Sequence, residues 1–135
     1  MPCQYVREDS QRLIKVTVAD PFTLAEFDLL TKRQLAEGVW PFAMLVDARA
    51  MVTPPQAADV RLFVASIQEA IAANGPRGPI AFVAKESIVI GRAQMYATLG
   101  GRTESIEVFW HLDEARRWLA ERTAPGVETT PPRPG

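Results

Sequence analysis

The chain has 135 residues, of which 47% are hydrophobic and 23% charged, and its formal net charge is −1. This length and this average composition favour one folded domain with a single core. Nucleic acid is not an expected partner, because Lys and Arg are not in excess over Asp and Glu. The single cysteine, Cys3, and an N-terminus without a signal-peptide pattern favour the cytoplasm, and no apolar run reaches the roughly 20 residues of a membrane helix.

The first sixty residues predict a hairpin, a helix and a central strand. β-Branched residues alternate over 12–19 and predict a strand, preceded by a shorter strand at Tyr5 and Val6. Thr23 and Glu26 match a capping box, so a helix is expected from there to about Glu37. The next segment is the continuous apolar run 42–48, which is typical of a strand covered on both faces.

The second half repeats strand and helix. Thr53, followed by two prolines, predicts the N-cap of a second helix, which ends at 74–76. Its apolar stripe has helical spacing and consists of Val60, Phe63, Val64, Ile67, Ala70 and Ile71. Further strands are predicted at 79–84 and 106–110; a helix ending near Gly100 follows the first, and a helix at 112–121 follows the second.

This alternation predicts an α/β fold with right-handed crossovers between parallel strands. We expect a mixed, mostly parallel sheet of about five strands with four helices, in one domain spanning residues 1–122. Residues 123–135 are rich in Pro and Gly and are predicted to be a disordered tail.

The predicted element order resembles the SpoIIAA-like fold of STAS domains over residues 10–121. The segment 91–96 (GRAQMY) resembles the small, apolar helix pattern of an uncharacterised STAS-like branch, and 108–119 resembles its closing strand and helix. The resemblance implies a non-enzymatic interaction or regulatory module. Anti-sigma-factor antagonists of this fold carry a phosphorylatable Ser or Thr in an Asp-Ser-Ser/Thr-Gly-like turn. Thr53 is the only hydroxyl at that place, without the acidic residue or the glycine, so a phosphoswitch is not expected.

Residue types that carry chemistry are sparse. His111 is the only histidine, and no Cys or His cluster or glycine-rich nucleotide motif is present in the sequence. The sequence therefore predicts no catalytic group, metal site or cofactor. A small enzyme that uses Asp47, Arg49 or His111 is the least favoured alternative, because the acid–base set is incomplete.

Five residues are candidates for ligand binding or regulation. Asp47 follows a central strand and precedes Arg49 and Thr53, at the sheet edge where ligands of open α/β sheets gather. A purely structural role, in which Asp47 only caps the loop or pairs with Arg49, is the favoured alternative. Lys85 and Ser87 precede and open the third helix, whose N-terminus favours an anion.

Two functional classes stay open beside the enzyme. The first is the interaction module, which would act on a protein partner. The second is a binding domain for a small apolar or anionic ligand or a lipid, since CRAL-TRIO lipid carriers are related in fold. Met44, Met51, Met95 and Tyr96 are candidates to line an apolar cavity, with ordinary core packing as the alternative. A homodimer through an exposed helix face or sheet edge is compatible with either class.

Overall fold

The computed structural model describes residues 3–101 and 104–123. In these residues one five-stranded sheet has the order β1-β2-β3-β4-β5, with β1 antiparallel to β2 and the other neighbours parallel. The strands are β1 (Cys3–Glu8), β2 (Leu13–Val18), β3 (Ala43–Ala48), β4 (Ile80–Ala84) and β5 (Ile106–Phe109). The helices are α1 (Leu24–Ala36), α2 (Ala57–Asn74), α3 (Ser87–Gly100) and α4 (Leu112–Thr123). The predicted α/β class, with a mostly parallel sheet and four helices, is confirmed.

The two faces of the sheet bury different helices, because successive side chains of a strand point to opposite sides. One face carries the larger core, in which Ile14, Met44 and Ile80 pack with residues of α1 and α3. On the opposite face Leu45 and Val83 pack against α4. Helix α2 lies over α1 and α3, and its apolar stripe is buried at Val60, Phe63, Val64 and Ile67.

Helix α1 begins where the sequence predicts. The Glu26 backbone N–H donates to Oγ1 of Thr23 at 3.2 Å, which satisfies one of the free amides of the first turn. Gly38, at φ 72°, follows the end of the helix. In the described part of the chain the Glu26 carboxylate does not bond back to Thr23, so only half of the capping box forms.

The predicted start of α2 is wrong. The helix begins at Ala57, with Gln56 and not Thr53 at the N-cap. The α conformation is disfavoured for a residue that precedes proline, and this restriction applies both to Thr53, before Pro54, and to Pro54, before Pro55. The Thr53 backbone N–H instead donates to Oδ2 of Asp20 at 2.9 Å.

Helix α4 extends to Thr123, slightly past the predicted domain end at 122. The rest of the predicted tail, 124–135, lies outside the described residues. Among the described helices, none combines the length and the apolar character needed to span a membrane.

Candidate functional site

A shallow, open depression at the carboxyl ends of the strands brings together three of the five candidate residues. It is lined by Asp47, Arg49 and Lys85, together with Thr17 and Ala50. The parallel pairing of β3 with β4 causes this grouping, because it places Asp47, in β3, beside the end of β4, which Lys85 follows.

Asp47 and Arg49 form a two-pronged ion pair in this depression. Arg49 Nε lies 2.9 Å from Oδ1 of Asp47, and Nη2 lies 2.8 Å from Oδ2. The Arg49 backbone N–H also donates to Oδ1, at 3.1 Å. The guanidinium hydrogen bonds lower the pKa of the Asp47 carboxyl, and partial burial opposes them. At neutral pH Asp47 is therefore a charged structural partner of Arg49 and a weak base.

Three other residues singled out in the sequence lie outside the depression. The Thr53 side chain is exposed on the loop before α2, and Ser87 is exposed as the first residue of α3. His111 is exposed between β5 and α4, two strands away from the Asp47 strand in the sheet order. The structure thus brings Asp47 and Arg49 together and leaves His111 two strands away.

The second candidate site is an apolar cavity of about 110 Å³ between the sheet and helices α1 to α3. Met44 and Met51 line it, as does Tyr96 of α3, whereas Met95 is not among its lining residues. Side chains of strands β2 to β5 form its sheet side, among them Val16, Val46, Ile80, Phe82 and Ile106. Val46 and Phe82 lie on central strands but are only partly buried, because their side chains border the cavity.

Aromatic side chains build the opposite wall. Phe27 of α1 stacks on Phe63 of α2, with ring centroids 4.8 Å apart and an interplanar angle of 6°. Phe22 meets the edge of the Phe63 ring at 5.8 Å. All three rings line the cavity, and Pro54 and Pro55 extend its lining into the loop before α2. The two prolines that delay the start of α2 thus contribute to the cavity wall.

One face of α3 contributes four lining residues at positions 89, 92, 93 and 96. This is the i, i+3, i+4, i+7 spacing of a helix face. Val89, Ala93 and Tyr96 suit an apolar wall, but the fourth residue is Arg92. Its Nε atom is buried and has no hydrogen-bond partner among the described residues.

A buried polar cluster adjoins the cavity. The Arg77 side chain lines the cavity; its Nη1 lies 3.3 Å from Oε1 of Glu104, and its Nη2 lies 2.6 Å from Oε1 of Gln34. The Tyr96 hydroxyl donates to Oε2 of Glu104 at 2.8 Å. Burial, together with the Glu104 charge, raises the pKa of Tyr96 well above its ordinary value. The cluster therefore holds one guanidinium, one carboxylate and a neutral phenol at neutral pH.

Sequence reasoning missed both arginines and Glu104. Arg77 and Glu104 lie in connections between elements, where polar side chains are expected to be solvated. Arg92 is recognisable in the sequence as a charged residue that interrupts the apolar i, i+3, i+4, i+7 stripe of α3.

The remaining reactive groups offer little chemistry. Burial, and secondarily the charge of Glu26, raise the pKa of the Cys3 thiol to about 11, so it stays protonated and is a poor nucleophile. Within residues 3–101 and 104–123 no three His, Cys, Asp or Glu side chains are grouped to hold a metal ion.

Comparisons of the chain with protein-family models, with curated proteins and with solved structures find no match. Membership of the STAS family therefore stays a prediction.

Proposed function

We propose that this protein is a non-enzymatic binding domain for a small ligand with an apolar body. The observation that carries the proposal is the cavity of about 110 Å³ between the sheet and helices α1 to α3. The packed interior of a protein domain contains few voids larger than a water molecule. An apolar void of this volume forfeits dispersion contacts along its walls, and a ligand restores them.

The volume bounds the ligand. An apolar cavity of about 150 Å³ takes up benzene, so the present, smaller cavity accepts an apolar group of fewer than about six non-hydrogen atoms. A short alkyl chain has this size. The lining supports the same class, because most of its side chains are aliphatic or aromatic.

The interaction module stays a prediction, and none of its candidate residues has a geometry that specifies a protein partner. Thr53, the candidate switch residue, has an exposed side chain outside the cavity. Native mass spectrometry of the full chain purified from its own source distinguishes the two functions, since a retained small mass supports the binding domain and a retained subunit supports the module.

The direct test is an NMR titration of the full chain with neutral primary alcohols from propan-1-ol to octan-1-ol. Affinity should rise about fourfold per methylene, because each buried CH₂ contributes about 0.8 kcal/mol, and the gain should stop once the cavity is full. The methyl resonances of cavity residues such as Val46 and Ile106 should shift.

Two matched variants complete the test. Ala93→Phe places a ring into the cavity from α3 and should abolish binding, whereas Ala72→Phe adds the same ring on the exposed side of α2. Equal binding by both variants, or no saturable shift of the cavity methyls in the unmodified chain, would contradict the proposal.

A further inference from the structure

We infer that the ligand of this cavity is a monocarboxylate whose carboxylate pairs with Arg92, an inference that rests on the proposed binding function. Two arginines, Arg77 and Arg92, are among the residues that line the cavity, and no Asp or Glu of the described part of the chain is among them. The Nε atom of each arginine is buried without a hydrogen-bond acceptor among the described residues, so the two arginines differ in whether their charge is paired.

Arg77 is already neutralised. Its charge is paired with Glu104, and the exposed fractions of the two side chains are 5% and 0%. Gln34 accepts a further hydrogen bond from the Arg77 guanidinium. No charge remains at Arg77 for a ligand to balance.

Arg92 lacks such a partner. Within residues 3–101 and 104–123 it forms no ion pair, and its buried Nε has no hydrogen-bond acceptor. Burying a hydrogen-bond donor without an acceptor costs free energy, and the cost is larger when the donor belongs to a charged group. Arg92 is therefore the arginine beside the cavity whose charge has no partner among the described residues, and one negative charge on a ligand would balance it.

The shape of the guanidinium selects the anion. Its planar set of N–H groups matches the two oxygens of a carboxylate, and Nε with one Nη can donate to both at once. Arg92 lies on the same α3 face as Val89, Ala93 and Tyr96, so a ligand that bonds to it can extend an apolar body along that face into the cavity. Short-chain aliphatic acids satisfy both requirements.

The experiment compares pentanoate with pentan-1-ol, which share a chain length but differ in charge. At neutral pH pentanoate should bind the unmodified full chain at least about tenfold more tightly, because hydrogen bonds to charged groups are the stronger kind. In a ¹⁵N spectrum of arginine side chains, the Arg92 Nε–H resonance should shift with pentanoate and not with pentan-1-ol.

Arg92→Gln should remove the advantage of pentanoate, measured as the ratio of the affinities for pentanoate and pentan-1-ol in the same variant. Arg92→Lys keeps the charge without the planar donors and should retain part of the advantage. Arg61→Gln, at an exposed position of α2, should change neither affinity. Thermal unfolding of each variant verifies that it is folded.

The outcomes separate the two proposals. If pentan-1-ol binds in the cavity but pentanoate binds no more tightly, or if Arg92→Gln leaves the advantage intact, the carboxylate inference is overturned and the binding function stands. Pentanoate shifts centred on Lys85 and Arg49 would also overturn it, because they would place the anion in the sheet-edge depression. If neither probe binds, both proposals fail.

Discussion

The Arg77 guanidinium and the Glu104 carboxylate meet 3.3 Å apart in the protein interior, and almost none of either side chain is exposed. A buried ion pair contributes little net stability, since both groups lose their hydration, but the loss of one partner leaves an uncompensated charge. This asymmetry gives the pair a distinctive signature in mutational experiments.

Glu104→Gln should lower the free energy of unfolding by about 3 kcal/mol, because Arg77 would then be buried without a counter-ion. The double variant Arg77→Met/Glu104→Gln should lose less than the sum of the single variants, with a coupling of about 1 kcal/mol or more. Urea unfolding of the full chain measures each value.

Arg49→Gln is the matched control for the buried pair. It breaks the Asp47 ion pair, in which the exposed fractions of the arginine and aspartate side chains are 47% and 25%, so its cost should stay below about 1 kcal/mol. A loss at Glu104→Gln no larger than that at Arg49→Gln would contradict the buried charge pair.

Both tyrosines of the chain should resist ionisation in the folded state. Burial, then the charge and hydrogen bond of Glu37, raise the pKa of Tyr5 to about 12, and burial with Glu104 raises the pKa of Tyr96. The phenolate absorbance of the folded chain should therefore stay low near pH 10, where the unfolded chain in concentrated urea is half ionised.

The same shifts fix the pH dependence of stability. Because the pKa of each folded phenol lies above its unfolded value, the stabilisation is complete below about pH 10 and is lost as pH rises from there through the folded values. Tyr96→Phe should reduce this alkaline loss. If one tyrosine of the folded chain ionised with a midpoint near pH 10, this result would contradict the burial of that tyrosine.

The two threonines near helix starts should differ in their effect on stability. Thr23→Ala removes the cap of α1 and should cost about 1 kcal/mol, whereas Thr53→Ala should cost less than about 0.5 kcal/mol because its side chain caps no helix. Asp20→Ala removes the acceptor of the Val52 and Thr53 backbone amides and should cost about 1–2 kcal/mol. Chemical unfolding tests the order, and a larger loss at Thr53→Ala than at Thr23→Ala would overturn it.

The strands and helices were predictable because their patterns are local. The run 42–46 is apolar throughout because β3 is covered on both faces, and the stripe of α2 repeats at helical spacing. The predicted start of α2 is wrong because Thr53 has the side chain of an N-cap, whereas Pro54 and Pro55 restrict the backbone before the helix.

The candidate site was only partly predictable, since its polar part is assembled from distant segments. Arg77 and Glu104 are separated by 27 residues, and Arg77 and Gln34 by 43, so no spacing in the sequence relates them. The pairing of Asp47 with Arg49 was among the predicted alternatives because the two residues are close in the chain.

Gly78 lies where the chain enters β4, and its position leaves no room for a side chain. A Cβ atom there would overlap the backbone carbonyl oxygens of Phe42 and Pro41, which cannot move without disturbing the start of β3. The Gly78 N–H also donates to the Trp40 carbonyl at 3.2 Å, which holds the two segments together. Gly78→Ala should therefore lower the free energy of unfolding by about 2 kcal/mol or more.

Gly91 provides the opposite case in the same chain. It is exposed within α3, and a Cβ atom there would meet nothing within 4 Å, so Gly91→Ala should raise the free energy of unfolding by about 0.5–1 kcal/mol.

Because Arg77 directly precedes Gly78, Gly78→Ala should also displace Arg77 and weaken the binding of pentan-1-ol in the cavity that Arg77 lines. Urea unfolding and the alcohol titration measure the two effects, and equal stability of the two alanine variants would show that β3 and the segment before β4 do not approach this closely.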